Sequence, residues 1–135
     1  MSTWPGSTSG LKQADLDWIA RNVSLAHDLL PQIGVPASTS LAAASLDRLW
    51  AHLRSEEHDA GFVISVIGLA AGQLIADRYR LEWVEITDEH GTDVALRGPY
   101  GFVLFPKRVA AECYARNEPF FVEPLVYDVA QQLAD

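Results

Sequence analysis

The feature that constrains this chain most is a run without a charged residue, Ala60–Ala76, bounded by Asp59 and Asp77. Such a run forms either a buried core helix or a membrane-spanning helix. Its 17 residues reach about 25 Å as a helix, which is short of the ~30 Å hydrocarbon layer of a bilayer. The flanks also show no Lys/Arg asymmetry. We expect a core helix, and a membrane-associated domain through residues 60–76 stays open as an alternative.

Two glycines in this run are four residues apart and so lie on one face of a helix. Gly68 and Gly72 form a G-x-x-x-G pattern, which lets a neighbouring element approach the helix closely. Glycine also lowers helix propensity, so the helix needs tertiary packing to persist. We therefore expect another element to pack on this face.

The periodicity of apolar residues predicts an α+β fold, in which N-terminal helices precede a three-stranded antiparallel β-meander and C-terminal helices follow it. Helices are predicted over about 11–30, from the Ser38–Ser40 cap cluster to about 55, and over 61–79, 106–116 and 120–133. Strands are predicted over 81–87, 92–97 and 100–105.

Apolar stripes predict which side chains of the first two helices point inward. On the first helix the stripe is Leu16, Ile19, Val23, Ala26 and Leu30. On the second helix it is Leu46, Leu49, Trp50 and Leu53.

The length of 135 residues fits one domain. Residues 1–10 are rich in Ser, Thr, Gly and Pro, and we expect a flexible tail there. We assign residues 11–135 to a single α+β domain.

The turn between the first two strands predicts their register. Asp88 and Gly91 suit a three-residue loop over 89–91, which places Ile86 opposite Val94 on an apolar face. Trp83 would then stand opposite Arg97 on the other face, either stacked on that guanidinium or covered by the first two helices. We favour the covered position.

Charge and cysteine content exclude several classes of function. There are 10 basic and 18 acidic residues, and the net charge of −8 argues against nucleic-acid or anionic-membrane partners. One cysteine, Cys113, allows no internal disulfide and no Cys-based zinc site, and the N-terminus carries no secretory signal pattern. We therefore expect a cytoplasmic protein. The acids are densest in the hairpin from Glu82 to Asp93, where we expect any cationic partner to bind in a salt-dependent way.

The hairpin also holds the candidate binding residues. A small-molecule binder or enzyme could use a carboxylate and His90 as acid and base, and Arg97 as an anion ligand. The competing interpretation is turn chemistry on a solvated sheet face. The candidates are Trp83, Glu85, Asp88, His90 and Arg97.

Other chemical patterns are weak. His52, Glu56 and His58 lack the spacing of a metal motif and favour a surface charge cluster. Cys113 on an amphipathic helix favours a small core residue over a nucleophile. No phosphate-binding loop is present, so the sequence does not support a nucleotide site. We predict no catalytic residues, no metal and no cofactor.

Residues 41–135 resemble an uncharacterised bacterial family, domain of unknown function 3806. The resemblance rests on the Gly-rich helix 67–74, on Leu81–Val84, on Thr87–Gly91 and on Phe105-Pro106 before a helix with a basic pair. In that family the pair lies a few residues into the helix, whereas Lys107-Arg108 follow the proline directly here. The resemblance implies a small bacterial α+β domain and supplies no catalytic residues.

The absence of a catalytic motif favours a non-catalytic protein-interaction or regulatory accessory domain that binds a protein partner or itself. The hairpin-face binder or enzyme and the membrane-associated domain are the two alternatives.

Overall fold

The computed structural model describes residues 7–36 and 41–134. The elements in chain order are strand β1 (Ser7–Ser9), helices α1 (Gln13–Leu29), α2 (Ala43–Ser55) and α3 (Ala60–Tyr79), strands β2 (Glu82–Asp88), β3 (Gly91–Arg97) and β4 (Val103–Leu104), and helices α4 (Pro106–Ala115) and α5 (Val122–Leu133). The predicted α+β order of N-terminal helices, antiparallel meander and C-terminal helices is confirmed.

Helix α3 lies at the centre of the fold. It is apolar all round and packs against α1, α2 and α4, as a helix without a polar face requires. By length and composition it is the one helix in the described part of the chain that could cross a membrane, and 61% of its most apolar window is buried inside the fold. Its apolar surface is thus largely occupied by other parts of this chain.

The two glycines of α3 make the predicted close contacts. A Cβ atom on Gly68 would lie 3.1 Å from the Cα of Lys107 in α4. A Cβ atom on Gly72 would lie 2.6 Å from the Trp83 ring and 2.8 Å from the Pro106 ring. The absence of side chains at these positions lets α4 and the sheet reach the α3 backbone.

The first two helices mostly follow their predicted stripes. On α2, Leu46, Leu49, Trp50 and Leu53 are all buried. On α1 and its end, Ile19, Ala26 and Leu30 are buried and Val23 is half-buried, but Leu16 is 46% exposed. Leu16 lies in the second turn of α1, and its predicted inward position is wrong.

Both helices start later than predicted. The backbone N-cap of α2 is Ala42, and the predicted cap cluster, Ser38–Ser40, lies outside the described residues. After α1 a 3₁₀ turn over Leu30–Ile33 ends at Gly34, whose positive φ of 83° closes the turn.

The sheet is antiparallel with the order β1-β2-β3-β4, so the predicted meander gains a fourth strand. Ser7–Ser9 pair with Glu85–Thr87, which corrects the flexible tail predicted over residues 1–10. Residues 1–6 of that tail lie outside the described residues. Without β1, the outer edge of β2 would leave backbone N–H and C=O groups unpaired. The short Ser/Thr segment of β1 pairs with this edge.

The predicted hairpin register is wrong by one residue. Asp88 pairs with Gly91, so the loop has two residues, Glu89 and His90. Glu85 therefore lies opposite Val94, and Trp83 lies opposite Leu96. The Asp88 carboxylate accepts the His90 N–H at 2.9 Å, a side-chain bond that supports this tight turn.

The register divides the sheet into two faces. Trp83, Val94 and Leu96 point toward the helices, where they join the clusters around α1 and α3. Val84, Ile86 and Ala95 lie on the opposite face, with Val103 and Phe105 packed beside them.

The third strand of the meander is shorter than predicted. Only Val103–Leu104 pair with β3, opposite Arg97 and Leu96. Pro99–Gly101 instead form a 3₁₀ turn in which Tyr100 has a positive φ of 59°. The Tyr100 side chain is 90% exposed.

Candidate functional site

The five hairpin candidates do not come together in one site. Trp83 and Glu85 belong to the helix-facing side of the sheet, Asp88 and Arg97 to the other side, and His90 to the exposed tip. None of the five lines either of the two cavities described below. The geometry therefore gives no support to a small-molecule or catalytic site around this hairpin.

Trp83 has a structural role in the core. It is half-buried against Gly72 and Pro106, and its indole N–H donates to the Gln73 side chain at 3.1 Å. It packs with the cluster that contains Trp18 on α1. Part of the predicted cover is therefore present, since α1 contributes Trp18, and α3 and α4 add Gly72 and Pro106.

The acidic residues of the hairpin are paired within the chain. Arg108 binds Asp88 through two contacts of 3.0 and 3.3 Å, and it lies 3.7 Å from Asp93. Lys107 reaches the same Asp93 at 3.8 Å. The Arg108 hydrogen bond holds the pKa of Asp88 below its ordinary value. The basic pair at the start of α4 thus ties that helix to the hairpin.

Two further hairpin acids also have basic partners. Arg97 donates to Glu82 at 3.0 Å, and Lys12 lies 3.6 Å from Glu85. A cationic partner at the hairpin would compete with these existing pairs, which weakens the predicted hairpin binding surface.

His52, Glu56 and His58 form a small surface cluster. Both imidazoles approach the same Glu56 oxygen, at 3.3 and 3.0 Å. The hydrogen bond with His58 is the main cause that lowers the pKa of Glu56. Within residues 7–36 and 41–134, no group of three or more His, Cys, Asp or Glu has the arrangement of a metal site.

One cavity lies between α1 and α3. It encloses about 350 Å³, and its polar lining includes His27, Gln73 and Asp77. The Gln73 amide accepts from Trp83 and donates to Asp77 at 2.8 Å, so this polar relay holds Trp83 in place.

A second cavity, which we call the α4–α5 groove, lies between α4 and the start of α5 and encloses about 440 Å³. Most of its lining residues are apolar, and two acidic residues complete the lining. The apolar residues are Val109, Cys113, Pro119, Phe120, Phe121, Pro124 and Leu125, and the acids are Glu118 and Asp128.

Helix α2 fixes one wall of the groove through a buried carboxylate. Asp47 is only 7% exposed and accepts the backbone N–H groups of Phe121, Val122 and Glu123 at 2.8, 2.7 and 2.9 Å. These three donors begin α5 and have no acceptor within the helix. A negative charge at a helix N-terminus is also favoured by the helix dipole.

The next two turns of α2 hold the loop that leads into α5. Trp50 and Arg54 both donate to the Glu118 carbonyl oxygen, at 2.9 and 2.7 Å. The buried Trp50 ring makes edge contacts with Tyr114 and Phe121, at centroid distances of 6.0 and 4.7 Å. Together with Asp47, these side chains lie on one face of α2.

The end of α4 contributes a second constraint on the same loop. Asn117 has a positive φ of 55°, its N–H donates to the carbonyl oxygen of Tyr114, and the N–H of Glu118 donates to the carbonyl oxygen of Cys113 at 2.9 Å. This pair of bonds is a Schellman motif, with Asn in the left-handed position. The loop is therefore fixed at both ends, and it presents Phe120 with 53% of its surface exposed.

The Cys113 thiol in the groove is not an activated nucleophile. Burial is the main cause that raises the pKa of the Cys113 thiol, and the nearby Glu118 charge raises it further. A thiol in such surroundings stays protonated. Cys113 is half-buried and packs against the core, so it serves as part of the apolar floor.

The sequence interpretation missed Asp47, Glu118 and Phe120. One sequence feature points to the region, since two prolines and two aromatic residues fall within 119–124. Asp47 lies one residue after an inward leucine of α2, and only its distant backbone partners reveal its function as a helix cap.

Comparison of the chain with protein-family models, with curated proteins and with solved structures found no match. The resemblance to domain of unknown function 3806 thus stays a prediction from the sequence.

Proposed function

We propose that this chain is a non-catalytic protein-interaction domain and that the α4–α5 groove is its docking site. The observation that carries the proposal is an apolar groove of about 440 Å³ with a half-exposed Phe120 at its edge. That volume lies within the range of about 300–1,000 Å³ typical of binding cavities.

The composition of the groove favours a protein segment as the ligand. Protein interfaces combine an apolar, aromatic-rich centre with a polar rim. Phe120, Phe121 and Leu125 supply the apolar centre, and Glu118 and Asp128 supply polar groups.

The fixed loop adds support, because a preformed site loses little conformational entropy on binding. Asp47 holds the start of α5, and Trp50 with Arg54 holds the Glu118 carbonyl. Phe120 is thus presented on a rigid support although its own side chain is exposed.

The test is to select binders to the intact chain from a displayed library of random 12-residue peptides. The affinity of the selected peptides is then measured for the parent and for two variants. Phe120→Ala removes the exposed edge of the groove, and Tyr100→Ala removes a more exposed aromatic side chain that lines neither cavity. We expect the selected peptides to lose about 10-fold or more in affinity for Phe120→Ala, as for an interface anchor residue, and to bind Tyr100→Ala as they bind the parent.

Failure to enrich any peptide, or equal binding to the parent and Phe120→Ala, overturns this function. The expected cytoplasmic location and the lack of nucleic-acid and membrane partners stay predictions from charge and sequence.

A further inference from the structure

The charge of the α4–α5 groove indicates the kind of segment it takes. We propose that its ligand is a short protein segment in which an apolar anchor is flanked by lysine or arginine. This inference rests on the docking function above and adds the chemistry of the partner.

The first argument is that the acids lining the groove lack the pairing seen at the hairpin. Among the ion pairs and hydrogen bonds of the described residues, none involves the carboxylate of Glu118 or Asp128. The hairpin acids Glu82, Glu85 and Asp88 each have a basic partner. A basic ligand would gain new ion pairs at the groove without displacing existing ones.

The second argument is that the cations near the groove are few or already engaged. Arg54 donates to the Glu118 carbonyl and, at 3.2 Å, to the Asn117 side chain. Around Cys113 on the groove floor, three acidic residues, Glu118, Glu112 and Asp47, raise the pKa of the thiol, and one basic residue, Arg116, lowers it. This balance of neighbouring charges favours a positively charged ligand group over a negatively charged one.

The third argument is that the helix N-terminus beside the groove, a feature suited to an anion, is already occupied. The N–H groups at the start of a helix attract anionic ligands. At α5 the three N–H groups of Phe121, Val122 and Glu123 all donate to the Asp47 carboxylate. An acidic segment would therefore meet carboxylates without gaining these donors.

A second copy of this chain fits the groove less well than a basic partner. A two-fold interface places the same patch against itself, which would bring the acids of both grooves together. The net charge of −8 per chain adds to that repulsion.

The experiment uses the 12-residue peptides selected on the intact chain and measures their Kd by fluorescence polarisation. We expect Lys or Arg within a few positions of an aliphatic or aromatic residue, and a Kd that rises as NaCl increases from 50 to 500 mM. One rim ion pair is worth about a 1.5- to 5-fold change in Kd. The double charge reversal Glu118→Lys/Asp128→Lys should therefore weaken binding by about 10-fold or more.

Two variants control for charge and for folding. Glu89→Lys reverses an exposed acid at the hairpin tip and should leave Kd unchanged, whereas a loss there would place the basic segment at the hairpin and overturn the inference. The neutral double variant Glu118→Gln/Asp128→Asn keeps the side-chain shapes, so it replaces the reversal if circular dichroism shows that the lysines disturb folding. It should weaken binding by about half as much on a logarithmic scale.

The possible failures are distinct. Peptides that need Phe120 but carry no basic residue, or bind equally at both salt concentrations, overturn the basic-segment inference and leave the docking function intact. Loss of all Phe120-dependent binding overturns the docking function itself. A dimer seen by light scattering that Phe120→Ala abolishes makes a second copy the occupant and overturns the basic-segment inference.

Discussion

The substitution Asp47→Ala tests how the α4–α5 groove is held together. In the folded chain the Asp47 carboxylate accepts three N–H groups at 2.7–2.9 Å, across more than seventy residues of sequence. Alanine removes the acceptor and leaves the start of α5 without a cap. The helix would still form, because its apolar face packs against α2, but its first turn would be destabilised.

The cost can be worked from which donors lose access to water. Phe121 and Val122 are buried, at 4% and 0% exposure, whereas Glu123 is exposed and can bind water instead. Each buried N–H left unpaired costs about 1–3 kcal/mol, so two cost about 2–6 kcal/mol. Water entering the space left by the carboxylate offsets part of this cost, so we expect the free energy of unfolding to fall by about 3 kcal/mol. A domain of this size is stable by about 5–15 kcal/mol, so the variant still folds.

Urea unfolding followed by circular dichroism measures this loss. With a slope of about 1–3 kcal/mol per molar urea, the midpoint should fall by about 1–3 M. Asp47→Asn keeps one oxygen for Phe121 and Val122 but loses the charge and the bond to Glu123. We expect the urea midpoint of this variant to lie between those of the parent and Asp47→Ala.

Asp17→Ala is the matched control, because among the described residues the exposed Asp17 carboxylate accepts a hydrogen bond only from the Gln13 side chain, at 2.9 Å. The free energy of unfolding of that variant should lie within about 0.5 kcal/mol of the parent value. If Asp47→Ala is no less stable than Asp17→Ala, the three bonds to Asp47 do not hold α5, and the argument for a rigid groove fails with them.

Two further predictions concern contacts outside the groove. Gly72→Ala should lower the free energy of unfolding by about 1–3 kcal/mol in urea, since its Cβ would overlap the rings of Trp83 and Pro106. Gly61→Ala, in the first turn of the same helix, meets only the end of a flexible carboxylate and should be neutral or stabilising, and equal losses for the two variants would contradict the close packing. Asp88→Asn should lower the urea midpoint at pH 7, because the Arg108 hydrogen bond depresses the pKa of Asp88 in the folded chain. That bond stabilises the fold at pH values above the pKa of an unfolded Asp, about 3.9. That difference from the parent should shrink as the pH falls below the unfolded pKa and through the depressed folded pKa, and a difference that stays the same from pH 7 into the acidic range would contradict the pairing.

The helices could be predicted from the sequence because their period of 3.6 reports which face is buried. The central position of α3 follows from its lack of any polar face, and its glycine pair marks where α4 and Trp83 approach. Strand β1 could not be predicted, because Ser7–Ser9 carry no apolar alternation in the sequence.

The hairpin register shows how a distant contact overrides a local pattern. A two-residue loop puts Glu85 opposite Val94 on the face that packs against the helices, which local reasoning disfavours. In the folded chain Lys12, 73 residues earlier, lies 3.6 Å from the Glu85 carboxylate and partly neutralises it. No pattern within the hairpin contains that information.

The groove could not be predicted for a similar reason. Its walls depend on pairs that are 64 to 76 residues apart, such as Arg54 with Glu118 and Asp47 with Glu123. The sequence offers only the cluster of prolines and aromatic residues in the loop before α5, and that composition does not show whether the loop is ordered.

The excess of acidic residues points to the hairpin as a surface for a cationic partner, but the ion pairs within the chain favour the α4–α5 groove instead. The hairpin has the densest acids in the sequence, but Lys12, Arg97, Lys107 and Arg108 are already bound there. A basic ligand at the hairpin must displace these pairs, so the gain from each new ion pair is offset by the loss of an old one. At the α4–α5 groove a basic ligand meets acids without such competition, beside an apolar surface that adds its own free energy of burial. The surface with fewer acids is thus the stronger candidate for a cationic partner.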